Sequence, residues 1–150
     1  MTAVDPFHEA KQTLERARRE YTSINSLIAA TAFHPVHACD LALRALYTVA
    51  TEEPFPHENF KPWYQPLRLT EGLGLTAYYS SETQEFLRKV QGYAQDAARY
   101  EGTQAYMNYT KPKAAGRAKE LVNGAERFIT ETQSLANLSV VLETVRRNAR

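Results

Sequence analysis

The sequence predicts an all-α fold: an up-and-down four-helix bundle with a long aromatic loop between the second and third helices and a helical C-terminal extension. Three observations carry this expectation. Apolar residues recur at alternating spacings of three and four along four segments, the signature of one helix face. No segment alternates apolar and polar residues long enough to build a sheet; Tyr78-Tyr79 and Val140-Val141 are too short. Glycine is absent before Gly72, and prolines gather at Pro54, Pro56, Pro62 and Pro66. Long uninterrupted stretches thus flank one irregular connection. Residues 1–135 are assigned to the bundle and 136–150 to the extension or tail.

The first helix opens at Asp5-Pro6. Asp accepts bonds from free N–H groups, and proline in the first turn gives up no helical bond. Phe7, Ala10, Leu14, Ala17, Tyr21, Ile24 and Ile28 then mark one face, which extends the helix to about Thr31. The second helix is expected to start near Pro35, with Val36, Cys39, Leu43 and Leu46 as its stripe and Ala42, Ala45 and Val49 widening it. Asp40 and Arg44, four apart, can pair along that helix. Residues 54–79 read as a loop with one short helix around 59–72, rich in aromatics that should pack onto the bundle. Ser80 or Ser81 caps the third helix, with Gln84 as the reciprocal partner of Ser81. Phe86, Val90, Tyr93, Ala97 and Tyr100 form its stripe, and Gly102 ends it. Thr110 and Pro112 open the fourth helix, whose face runs through Ala118, Leu121, Ala125, Phe128, Thr132 and Leu135. The spacing persists through Leu138, Leu142 and Val145 with no glycine or proline after Gly124. Either the fourth helix runs on or a short fifth follows. This last segment, basic at its end, either swaps onto a second subunit or frays.

Composition narrows the function. The chain has 150 residues, enough for one domain, with 18 Lys and Arg against 17 Asp and Glu. A net charge of +1 argues against gripping duplex nucleic acid by charge. The first 75 residues carry 7 basic and 9 acidic side chains and the last 75 carry 11 and 8, so phosphate-bearing ligands are sought in the second half first. Cys39, the lone cysteine, excludes an intramolecular disulfide and fits a reducing compartment. No apolar run approaches the roughly 18 residues that span a bilayer, and no secretory signal opens the chain, so a cytoplasmic protein without membrane contact is expected.

Three motifs together resemble a known family. Ala38-Cys39-Asp40-Leu41-Ala42-Leu43-Arg44-Ala45-Leu46 looks like the second helix of HEPN domains (higher eukaryotes and prokaryotes nucleotide-binding). Pro56-His57-Glu58-Asn59-Phe60 resembles the family's loop histidine, and Ala98-Arg99-Tyr100 the end of its third helix. The resemblance covers residues 5–135. It implies a helical bundle, often dimeric, associated with nucleotides, RNA or a nucleotidyltransferase-type partner, as in toxin–antitoxin pairs. Many members are ribonucleases that use an Arg followed, after four to six residues, by a His. No histidine here has an Arg at that distance; Tyr106 stands where Arg99 would need it. Tyrosine is a poor general base at neutral pH. The expectation is therefore a non-catalytic, homodimeric partner-binding module. The alternative is a binder of a nucleotide or single-stranded RNA, including a divergent ribonuclease.

For that alternative the candidate ligand-binding residues are Arg44, His57, Arg99, Tyr100, Tyr106 and Lys111. Arg offers a fork for phosphate, His57 a titratable donor, and the tyrosines rings for base stacking. The structural readings are equally concrete: an exposed Asp40–Arg44 pair, His57 and Asp40 holding the loop on the bundle, and tyrosines packing the long connections or a protein interface. Of 16 aromatic residues, 11 fall between Phe55 and Tyr109. His34, His37, Cys39 and Asp40 cluster in sequence, but a structural zinc site needs four ligands and Pro35 interrupts the turn. No metal, cofactor or catalytic residue is assigned. Gly72-Leu73-Gly74 lacks the phosphate-cradling pattern, and Cys39 on an apolar stripe is expected to be inert.

Overall fold

The computed structural model describes the backbone of residues 5–21, 28–55, 65–100 and 114–149, and the side chains of 5–19, 35–55, 67–90 and 119–149. Among the described residues there are six α-helices and no strand: α1 (His8–Tyr21), α2 (Ile28–Thr51), α3 (Gln65–Gly72), α4 (Ser81–Tyr100), α5 (Ala114–Leu135) and α6 (Ser139–Asn148). A single 3₁₀ turn, Thr76–Tyr78, links α3 to α4. No described helix is long and apolar enough to cross a membrane.

Two expected boundaries are corrected. The first helix ends at Tyr21 rather than near Thr31, and Ile28–Thr31 belong to α2. α2 does not start at Pro35 but runs through it. An interior proline removes one backbone hydrogen bond, and the helix tolerates that loss where neighbours cover it; Pro35 and Val36 are both buried. At the start of α1 the Asp5 carboxylate accepts a hydrogen bond from the Phe7 N–H at 2.9 Å, the expected cap. Phe7, Ala10, Leu14 and Ala17 then bury the predicted stripe.

α2 is the hub. It packs against α1, α3, α5 and α6. Its buried residues, Val36, Ala38, Cys39, Asp40, Ala42, Leu43, Ala45, Leu46, Tyr47 and Ala50, leave only a narrow open strip through Arg44 and Thr48, as a helix packed by several neighbours requires. Its alanines let neighbouring helices approach closely. Each of Leu43 and Leu46, fully buried, contributes about 1.5–3 kcal/mol by removal from water.

α4 joins the core through α5 and α3. Phe86 lies so close over Gly124 of α5 that a Cβ there would overlap the ring. Ion pairs Lys89–Glu120 at 3.1 Å and Arg127–Glu82 at 3.6 Å flank this contact, and Arg18–Glu126 ties α1 to α5. Such exposed pairs contribute at most about 1 kcal/mol each.

Three helix ends are capped by side chains from the last third of the chain. At the start of α4 the Thr83 N–H donates to Ser80 Oγ at 3.2 Å, so Ser80 is the cap. The expected reciprocal partner, Gln84, instead donates to the Tyr79 carbonyl at 3.0 Å. Glu131 of α5 takes the reciprocal role: its carboxylate accepts from the Ser80 N–H at 2.7 Å and from the hydroxyls of Ser80 and Thr83. At the end of α2 the Arg146 guanidinium donates to the Ala50 carbonyl. At the end of α3 the Asn148 amide donates to the Leu73 carbonyl at 3.2 Å. There Gly74, at φ +73°, lets the chain turn: Leu75 N–H bonds Thr70 O and Gly74 N–H bonds Glu71 O, a Schellman closure.

Beyond Leu135 the chain turns through residues 136–138 and folds back as α6 onto α2, burying Val141 and Val145. The fourth helix therefore does not run on, and this segment seats on its own chain.

Candidate functional site

The most unusual chemistry lies on α2. Asp40 is fully buried, although a carboxylate loses much of its hydration there. Its Oδ2 accepts from Arg44 Nε at 2.7 Å, one helical turn on. Its Oδ1 meets no donor among the described residues. Burial raises the pKa of Asp40 above the ordinary carboxylate value, against the opposing pull of Arg44. The Asp40–Arg44 pair is thus not the exposed surface pair the spacing allowed: the acid is buried, and only Arg44 reaches the surface, with 23% of its side chain exposed.

The third member is not one that helical spacing picks out. Phe55 places its ring 5.2 Å from the Arg44 guanidinium carbon, within cation–π range. Phe55 in turn meets Tyr47 edge-on at 5.2 Å. Pro54 and Pro56 flank Phe55, and a residue before proline favours extended backbone, which carries Phe55 back along α2. Phe55 lies 11 positions after Arg44, roughly 16 Å along a continuous helix, so the two meet only because the chain turns back after α2. The only available signal was an aromatic residue between two prolines just after a helix.

Tyr47 also lines a cleft of about 550 Å³ at the end of α2, with Ala50, Thr51, Glu52, Glu53, Arg146 and Ala149. Among the described lining residues two carboxylates, with the negative end of α2, outweigh the one guanidinium, Arg146, which donates to the Ala50 carbonyl. Glu52 closes α2 at φ 61°, a left-handed conformation unusual for a residue with a side chain. Its N–H bonds the Thr48 carbonyl at 2.8 Å, while Thr51 Oγ1 donates to the Tyr47 carbonyl at 2.8 Å.

Of the candidate ligand-binding residues, Arg44 alone has a described side chain. Arg99 and Tyr100 form the end of α4, but their side chains lie outside the described residues, as do His57, Tyr106 and Lys111 altogether. Cys39 is buried, and burial, with Asp40 next to it, pushes its thiol pKa up, away from the thiolate that nucleophilic chemistry needs. Among the described residues no three His, Cys, Asp or Glu side chains gather as metal ligands; the side chain of His34 is outside that set. Tyr79 is likewise structural: its hydroxyl bonds Thr132 Oγ1 at 2.7 Å and its ring stacks on Phe128 with centroids 5.0 Å apart.

Comparison of the chain with protein-family models, curated proteins and solved structures finds no match.

Proposed function

We propose that the chain is a non-catalytic HEPN-like up-and-down four-helix bundle, with α1, α2, α4 and α5 as the four, that works in the cytoplasm as a homodimeric partner-binding module. A nucleotidyltransferase-type protein is the proposed partner. The observation that carries this reading is the placement of Arg44. Its guanidinium bonds the buried Asp40 and lies over Phe55, so it serves the fold, and the cleft at the end of α2 is lined by Glu52 and Glu53 together with Arg146. Two carboxylates against one guanidinium favour a cationic group on a protein partner over phosphate. The three large apolar side chains exposed among the described residues, Tyr78, Leu138 and Val140, are also what a protein interface would use.

Light scattering coupled to size exclusion tests the dimer; the expected mass is twice that of the chain. Titration with ATP and with a short single-stranded RNA separates the competing reading, and no saturable binding is expected. A monomer at every concentration overturns the dimeric module. Saturable binding that weakens in Arg44→Ala replaces it with nucleotide or RNA recognition. Co-expression with a nucleotidyltransferase encoded beside this chain tests the partner directly, with a stable complex expected.

A further inference from the structure

α6 is joined to α5 by a three-residue turn whose sequence does not require a turn. Ala136, Asn137 and Leu138 all enter helices, and neither glycine nor proline occurs after Gly124. Within the turn, Asn137 and Leu138 N–H bond the Ser134 and Leu135 carbonyls at 3.1 and 3.0 Å, three residues back instead of four. Leu138 is extended, at φ −103° and ψ 118°. The apolar stripe of α5 would continue through Leu138, Leu142 and Val145 if the helix were straight. In the folded-back form Leu138 and Val140 stand 46% and 55% exposed. Straightening restores the i to i−4 hydrogen bonds and returns Leu138 to the stripe.

The groove that receives α6 lies on α2 and the end of α3. It takes up Val141 and Val145, with Arg146 on the Ala50 carbonyl and Asn148 on the Leu73 carbonyl. A second copy of the chain carries an identical groove. Every contact that α6 makes in one chain can therefore be remade with its partner, and only the hinge differs. Resting on the dimer proposed above, we propose that the dimer forms by exchange of the C-terminal helix: α5 and α6 become one continuous helix, and each α6 seats on α2 of a second copy. The exchange is reciprocal and closes with two-fold symmetry.

One substitution separates the two forms. Ser139 is the first residue of α6 and its N–H makes no backbone hydrogen bond among the described residues. Proline is well tolerated at a first helical position, and the extended Leu138 suits the residue before it. In a straight helix the same proline removes the bond to the Leu135 carbonyl and clashes one turn back. Ser139→Pro is expected to raise the dimer dissociation constant by at least about a hundredfold while leaving helical content unchanged. An unchanged dissociation constant overturns the exchange while leaving a dimer through another surface. A wild-type chain that is monomeric throughout overturns both. Asn137→Ala gives an independent reading: better helix propensity at two hinges is expected to tighten the dimer by up to about tenfold. No tightening counts against exchange even if Ser139→Pro fails to fold.

Discussion

α2 and α6 touch one another but are held in opposite ways. α2 is packed by four other helices, and its buried residues occupy all of its circumference except one strip, His37, Leu41, Arg44 and Thr48. α6 buries Val141 and Val145, sets Leu142 and the following Ala149 partly against the core, and is tied by two side-chain bonds to the ends of α2 and α3. The first helix has no alternative place to go. The second keeps its energy in a few contacts that a like surface could supply. A residue buried equally deep in each therefore carries different weight.

Matched truncations test that contrast most strongly. Leu43→Ala, at the centre of the hub, is expected to cost about 2–5 kcal/mol in urea unfolding, because transfer and cavity costs add. Val145→Ala is expected to cost about 1–2 kcal/mol, and equal losses would erase the distinction between the two helices.

The buried acid of α2 gives a sharper signature, in sign rather than size. The pKa of Asp40 is raised in the folded state, so the folded chain binds the proton more readily than the unfolded one. Its contribution therefore grows as pH falls from neutral through the folded pKa, and levels off below the unfolded value near 3.8. Asp5 behaves in the opposite way. The bond from Lys11, then that from the Phe7 N–H, lowers its pKa, so its contribution is present above the unfolded value and is lost as pH falls through the folded pKa. The difference in unfolding free energy between wild type and Asp40→Asn, measured from pH 7 to 4, is expected to shift toward the wild type as pH drops. A flat difference would mean that Asp40 is not shielded from water.

The smallest expected effect lies where the two helices meet. Glu52→Gly removes the left-handed strain at the end of α2 and is expected to stabilise by up to about 1 kcal/mol in thermal melts, since glycine adopts φ 61° freely but gains entropy when unfolded. A loss instead would show that the Glu52 side chain is engaged.

Features that rest on neighbours in sequence were legible; those that rest on neighbours in space were not. The Asp5 cap and the Phe7–Ala17 stripe follow from local spacing, and both were readable. The division into α1 and α2 was not, because the apolar rhythm continues in sequence through Ile24 and Ile28, while Ile28 belongs to a second helix, and Pro35 imitates a helix start. The cap of α4 was half legible: the hydroxyl sits within three residues of its N–H, but the carboxylate that completes it comes from Glu131, 51 residues on from Ser80. Likewise the spacing of Asp40 and Arg44 announced a pair, while the burial of Asp40 and the ring of Phe55 depend on how the chain returns. The remaining candidates, His57, Arg99, Tyr100, Tyr106 and Lys111, stay tied to the resemblance and to composition.

The bond from Arg146 to the Ala50 carbonyl spans 96 residues of chain. During synthesis α2 leaves the ribosome well before the helix that closes its end, and the strip awaiting Val141 and Val145 stays uncovered throughout that interval. The order of translation thus sets a window in which this strip is open to whatever reaches it first, and nascent chains growing side by side would present it to one another.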